Sequence, residues 1–402
     1  MTARSTAIGD RRGVASQRAG ARRRHPAHRR AGLGSASPTP PPVAFYVIAV
    51  VAAAFTLLGL VMVLSASSVS LFHKGQSPWR IFNRQIWWAV IGFCGLWMAM
   101  KMPLHRVRPF AGACAVISIV LMILPLLPGV GVTVNGAQAW VAVGQLTFQP
   151  SEFLKLALLV QCANVVAGRN GEPLDVSRRF GPVAVFGVLG AGLCALQGDL
   201  GSGIVVASIA LAVAFIAGAP LGPVIGVAST GFGVGLLYVL QDAKRLARFT
   251  AFLDLAGTKE HAGYQGWQAR IGIAQGGLTG SGVGRGDNKL GEFLPLAHSD
   301  FIFAVVAEEL GLIGVLIVLG GFFALLFAAV QVALATQDRF HMVLAAGIGA
   351  WFAVQATINI GGVTGLMPIT GLTLPFFSAG GSSLLVTLTA AGLLLNVARN
   401  VR

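Results

Sequence analysis

The sequence predicts an all-α polytopic membrane protein of about ten transmembrane helices, and three observations carry that prediction. Apolar residues make up 55% of the chain and charged residues 11%, with a mean hydropathy of +0.76. Soluble domains carry about 25% charged residues, so this chain has too few to solvate a globular surface. Apolar runs that can each supply roughly 20 residues recur from residue 43 onward, separated by short polar breaks. The runs do not alternate as porin strands do, and a backbone in lipid must satisfy its own hydrogen bonds, which leaves helices.

The elements follow in order. Residues 1–42 hold nine Arg and one Asp, eight of the +15 net charge, together with the stretch SPTPPP at 37–42. This segment lacks large apolar residues and is expected to be a disordered basic cytoplasmic tail. Because the charge is so localised, it points to the positive-inside rule and anionic lipid, not to nucleic acid. Spans are expected near 43–66, 85–102, 110–128, 151–168, 181–197, 201–218, 221–240, 301–328, 341–361 and 381–398. The fifth and sixth are divided only by GDLG. An even count puts the C-terminus on the side of the tail. The loops with Lys101, Arg106 and Arg108, and with Arg169, Arg178 and Arg179, then face the cytoplasm.

The same parity places 67–84, 129–150, 241–300 and 362–380 outside. The loop 241–300, between the seventh and eighth spans, is the largest, and long loops of this kind are functional or disordered. Trp267, Phe293 and the punctuation GGLTGSGVGRG (276–286) indicate partial order, with an amphipathic interfacial helix expected near 264–275. The rest, 43–402, reads as one membrane domain without internal repeats. Cys94, Cys114, Cys162 and Cys194 all fall in apolar runs without metal-ligand spacing and read as small packing residues.

Three polar clusters interrupt the apolar runs. EFLPLAHSDFIFAVVAEEL (292–310) holds four of the fourteen carboxylates. Asp300 opens the eighth span. It reads equally as an N-cap or as a catalytic carboxylate, although Ser299 can supply the cap. Glu308 and Glu309 lie deeper and are expected to be structural, at least one of them facing a polar group in the bundle. In FQPSEFLK (148–155), Pro150 suits a helix start and Glu152 its first turn. Lys155 is then one turn inside, with Asp199 of GDLGSG expected as its partner from another span, either fixing packing or lining a cavity for an anionic head group. In GLTLPFFSAGGSSLL (371–385), preceded by Asn359, Pro375 and the Gly380–Gly381 pair break helical structure. The GGSS amide groups offer an anion site, with a helix cap by Ser382 or Ser383 as the competing reading. No P-loop, HExxH, zinc-spaced His/Cys set or GxSxG elbow occurs, so ATP-driven transport and zinc hydrolysis have no support in the sequence.

Taken together these clusters resemble one family. HSDFIFAVVAEELG (298–311) is similar to the HTDFIFAVIGEELG motif of the SEDS proteins (shape, elongation, division and sporulation). MVLSASSV (62–69), NGAQAWVAVGQLTFQPSE (135–152), the YQxxQ at 264–268 and TGLTLPFFSAGGSS (370–383) resemble family motifs in the same order. MVLSASSV and TGLTLP resemble the cell-division branch more than the elongation branch. FSAGGSS, the Arg-rich tail and the Ala-rich composition suggest an actinobacterial member.

The resemblance implies a ten-helix SEDS bundle and a peptidoglycan glycosyltransferase that polymerises lipid II at the outer face of the cell membrane, at the division septum. It implies Asp300 as the essential aspartate, the candidate general base of an inverting displacement at MurNAc C1. It implies contacts to substrate from Lys155, Asp199, Trp140, Gln265, Gln268, Lys289 and Ser382, and a role in activation for Glu292. Lys289, Arg270 and Arg285 are the expected phosphate contacts. A divalent cation, Mg or Mn, would share that duty, but no dedicated metal cage is visible. The implied partners are a class B penicillin-binding protein transpeptidase and other divisome proteins. Two positions depart from the family pattern: Ala139 stands where Arg usually precedes the Trp, and Ala269 where YQxxQS has Ser. The rival readings are a lipid II flippase, with Lys155, Asp199 and Glu308 along a path, an elongation-type polymerase, and a non-enzymatic scaffold.

Overall fold

The computed structural model describes residues 42–134, 136–144, 146–168, 176–287 and 294–401. The basic tail, Lys289 and Glu292 lie outside these residues. The helices are α1 (Val43–His73), α2 (Arg80–Lys101), α3 (Leu104–Leu121), α4 (Pro150–Ala167), α5 (Val176–Leu196), α6 (Leu200–Ile216), α7 (Leu221–Leu240), α8 (Ala243–Leu253), α9 (Tyr264–Gly276), α10 (Ile302–Ala335), α11 (Arg339–Thr364) and α12 (Gly381–Asn400). Three strands, β1 (Gly131–Val134), β2 (Ala137–Val143) and β3 (Leu146–Phe148), form one antiparallel sheet in the order β1-β2-β3. All helices but α8 and α9 stand where the sequence places spans. Among the described residues, eight are long and apolar enough to cross a membrane. Of the other two, α6 is one residue shorter than the shortest of these, at 17, and α2 carries Arg80, Arg84 and Lys101. The chain is a multi-pass membrane protein.

Local sequence sets the helix starts. Pro150 occupies the first turn of α4, where its missing N–H costs nothing. Asp199, Asp242 and Asp338 cap α6, α8 and α11, each accepting from backbone N–H groups of the first turn. α4, α11 and α12 form the centre. α12 packs on α2 and α1, α11 on α10 and α6, and α4 on α3 and α6. α7 touches α6 and α8 and buries no residue. Cys162 and Cys194 are buried and pack as expected, but Cys94 and Cys114 point outward.

Three features differ from the sequence reading. The small sheet in 129–150 is not anticipated, although its β-branched alternation and the Asn135–Gly136 pair are hairpin signals. Trp140 pairs with Val132 in it, and the amide of Gln138 donates to the Gln197 carbonyl (2.8 Å), docking the sheet on the α5–α6 turn. The amphipathic helix of the long loop is α8, with Lys244, Arg245 and Arg248 among Leu246, Phe249 and Phe252. α9, at the expected 264–275, instead buries a small-residue face of Gly266, Ala269, Gly272 and Gly276 and packs on α10 and α11.

The third difference is a break in α10 at Gly311, with φ 65° and ψ −159°. A break inside a span frees backbone groups that lipid cannot satisfy. The glycine-rich loop supplies the partners: Ser281 and Gly282 amides donate to the Glu308 and Glu309 carbonyls (2.9 and 3.0 Å), and Leu312 donates to Gly277 (2.9 Å). A Cβ on Gly311 would lie 2.3 Å from the Gly280 nitrogen, so the pairing requires glycine there.

Candidate active site

At the end of the bundle where α4, α6 and α10 begin and α11 ends lies a cavity of about 500 Å³. β1 and β2, the α5–α6 turn, α8, α9 and the segments around 298–300 and 369–373 wall it. Of the residues that the sequence singles out, it brings together Asp300, Asp199, Trp140, Gln265, Arg270 and Glu152. It leaves out Gln268 and also Ser382, which is buried and accepts from the Gln149 amide (3.2 Å). Arg285 does not line it either. Sequence reasoning passes over Lys244, Arg245 and Arg248 of α8, Gln149 and His298, all of which do. The Asp242 cap followed by cations at i and i+4 was the legible signal for α8: Lys244 and Arg248 share one helical face.

Neither expected cap forms at Asp300. The N-cap of α10 is Phe301, without a side-chain bond, and the Ser299 hydroxyl donates to the Leu296 carbonyl (3.3 Å). The backbone around Asp300 is braced instead. Asn359 Nδ2 donates to the Asp300 carbonyl (2.9 Å) and the Leu372 carbonyl (2.6 Å). The Ser378 hydroxyl donates to the Ser299 carbonyl (2.6 Å) and accepts from the Leu374 amide (2.8 Å), and the Ala379 amide donates to the His298 carbonyl (2.9 Å). The carboxylate is half-buried, and a Cβ on Gly371 would sit 3.7 Å from Asp300 Oδ2.

Burial pushes the Asp300 carboxyl up to about 7, against the adjacent Ser299 hydroxyl and the charge of Arg248, which favour the carboxylate; the Asp199 charge adds to the rise. Burial pushes His298 down to about 4, with the charges of Arg84 and Lys74 contributing, so it is neutral near pH 7.

The expected Lys155–Asp199 pair does not form. Lys155, with no exposed surface, bonds Glu152 Oε1 one turn back (2.8 Å) and Gln355 Oε1 (3.2 Å), and its Nζ lies 5.9 Å from the Trp351 ring centroid. A partner on the same helix face is nearer than one across a turn. Asp199 is taken up by capping Ser202 (3.0 Å) and by accepting from Gln149 Nε2 (2.7 Å). Gln355 also accepts from Trp351 (2.8 Å) and donates to the Thr373 carbonyl (2.9 Å), which ties Lys155 to the segment beside Asp300. Glu308 and Glu309 are buried away from the cavity. Glu308 accepts from the Asp287 amide (2.6 Å) and Glu309 from the Ser65 hydroxyl (2.5 Å).

Residues 45–402 match the FtsW/RodA/SpoVE family, described as "Cell cycle protein". The chain belongs to that family. This FtsW/RodA/SpoVE-family chain is 37% identical over 359 residues to a probable peptidoglycan glycosyltransferase FtsW of Trichlorobacter lovleyi, covering 89% of this chain and 93% of the relative. Among solved structures, it superposes on a chain from a study titled "Structural coordination of polymerization and crosslinking by a peptidoglycan synthase complex", with TM-score 0.73, 29% identity and coverage of 88% and 97%. It also superposes on the rod shape determining protein RodA of Thermus thermophilus, with TM-score 0.65, 29% identity and coverage of 88% and 96%. The two departures from the family's motifs separate here. Ala139 lines the cavity, whereas Ala269 is fully buried in the α9 packing face.

Among the described residues, no group of three or more His, Cys, Asp or Glu side chains gathers. The described residues thus form no dedicated all-protein cage for a divalent cation, and no step below is routed through one.

Proposed function

We propose that this chain is a peptidoglycan glycosyltransferase that joins lipid II units into β-1,4 glycan strands, with Asp300 as general base. The observation that carries the reading is the convergence in one cavity of a carboxylate held near neutrality and the cations Lys244, Arg245, Arg248 and Arg270. A base has the most use when its pKa lies near working pH, and a pyrophosphate leaving group needs fixed positive charge.

The 4-hydroxyl of the acceptor GlcNAc attacks C1 of the donor MurNAc, and its proton passes to the Asp300 carboxylate. The C1–O bond breaks, and undecaprenyl pyrophosphate departs with the electron pair. One displacement turns the α-linked donor into a β bond. Lys244 and Arg248, facing the cavity from α8, take the pyrophosphate, with Arg270 beside them. Lys155 acts from behind the wall, through Gln355 and Thr373.

The cavity faces outward across the cell membrane. Lys101, Arg106 and Arg399, exposed at the opposite end, support that orientation. The relatives' names support the division branch, and the likeness to a chain of a peptidoglycan synthase complex supports a transpeptidase partner. The test is polymerisation of lipid II by purified protein, with and without the transpeptidase. Asp300→Asn is expected to lose about 10²–10⁴ in rate. Full activity in a folded Asp300→Asn protein would remove Asp300 as base.

A further inference from the structure

The end of the bundle opposite Asp300 holds a second polar cavity, of about 1210 Å³, that the catalytic reading does not use. α3, α4, α5, α11 and α12 surround it. Arg108 and Arg179 line it with His105, His341, Asn164 and Asn400.

Arg108 is pre-oriented there. Its Nε donates to Asn164 Oδ1 (3.0 Å), its Nη2 bonds the Gly168 carbonyl, and its guanidinium lies 5.7 Å from the Phe340 ring centroid. It has no carboxylate partner among the described residues. Arg179 stands on the same cavity with Nη1 on the Val166 carbonyl (3.0 Å). Among the described lining residues the one carboxylate is Asp338, and it is engaged locally. It accepts from the His341 amide (3.0 Å) and lies 3.8 Å from His341 Nδ1. Arg108, a half-buried guanidinium held by neutral acceptors and an aromatic face, brings a fixed positive charge to a pocket at the membrane boundary.

The surroundings are apolar in one direction. The α3 face that meets the cavity with His105 and Pro109 continues through Ala113, Val116 and Val120 at helical spacing, and all five are exposed. A pocket that presents the Arg108 guanidinium and opens onto a lipid-facing apolar stripe complements an amphiphile with an anionic head.

We infer that this cavity binds the phosphate head group of an anionic phospholipid, with Arg108 as the principal contact and the α3 stripe carrying an acyl chain. In the orientation proposed above the lipid belongs to the cytoplasmic leaflet, but the binding itself does not depend on the glycosyltransferase reading. Bound lipid would join α3, α4 and α11 at the end of the bundle remote from Asp300.

The test is native mass spectrometry of the full-length protein titrated separately with phosphatidylglycerol, phosphatidylcholine and inorganic phosphate. Wild type is expected to retain phosphatidylglycerol in preference to phosphatidylcholine. Arg108→Gln is expected to weaken that retention about tenfold, the worth of one charge-assisted hydrogen bond. Asp338→Asn keeps an N-cap residue while removing a negative charge, and is expected to strengthen it severalfold. The basic tail is present in every variant, so equal retention by all three proteins would assign the effect to the tail and overturn the site. Displacement of phosphatidylglycerol by an equal concentration of inorganic phosphate would overturn the lipid assignment. If Arg108→Gln does not fold, the absence of any gain in Asp338→Asn overturns the proposal by itself.

Discussion

Asp300 and His298 both face the cavity, and their protonation separates them as candidates. A base works only when deprotonated, so with its carboxyl at about 7 the rate should climb as pH rises through neutrality and level off above it. His298, at about 4, stays neutral throughout and adds no step of its own. A kcat/KM profile flat between about pH 6 and pH 8 would count against Asp300 as base. Arg248 is read through the leaving group. Arg248→Gln should lower polymerisation about tenfold to a hundredfold, the range for one hydrogen bond to a charged group. The effect should appear mainly in kcat if Arg248 acts on the departing pyrophosphate, and mainly in KM if it only binds the ground state.

At the scale of elements, the site depends on irregular backbone held by specific partners. Residues 369–373 lie against Asp300 because Asn359 and Ser378 bond both chains. Gly371 has φ +74°, in the left-handed region. Gly371→Ala should cost about 1–2 kcal/mol of backbone strain and place a methyl in contact with the Asp300 carboxylate, 3.7 Å from Oδ2, where substrate or water would otherwise reach it. Activity should therefore fall more than the unfolding temperature would account for. Equal losses in both would mean that the segment is only structural. The α10 break is the other such device, and there the loop amides replace the helix's own bonds.

Across the whole molecule, α4, α11 and α12 form a buried frame whose buried charges, Glu152 and Lys155, bond each other. Lys155→Met leaves Glu152 as an uncompensated buried carboxylate and should destabilise the bundle by about 3–5 kcal/mol. The double variant Lys155→Met/Glu152→Gln removes both charges and should recover most of that, by thermal unfolding in detergent. If the single and double variants unfold alike, the pair is not what stabilises α4. Polymerisation that stays low in the recovered double variant would show that Lys155 also positions the segment beside Asp300 through Gln355. The same frame separates the two polar cavities, one at each end of the bundle.

By itself the sequence determined the helical class, the positions of ten long helices and the place of Asp300 at the start of α10. Those features depend on apolar run length and on where charge interrupts it, which are local properties. The tertiary structure alone decided that Lys155 bonds Glu152, one turn back on its own helix, and not the expected Asp199, which Gln149 and the first turn of α6 engage. It alone brought the α8 cations to the cavity and set the glycine-rich loop into the break in α10. These depend on which backbone groups a neighbouring segment satisfies, and in a lipid-embedded bundle that is settled by elements far apart in the chain.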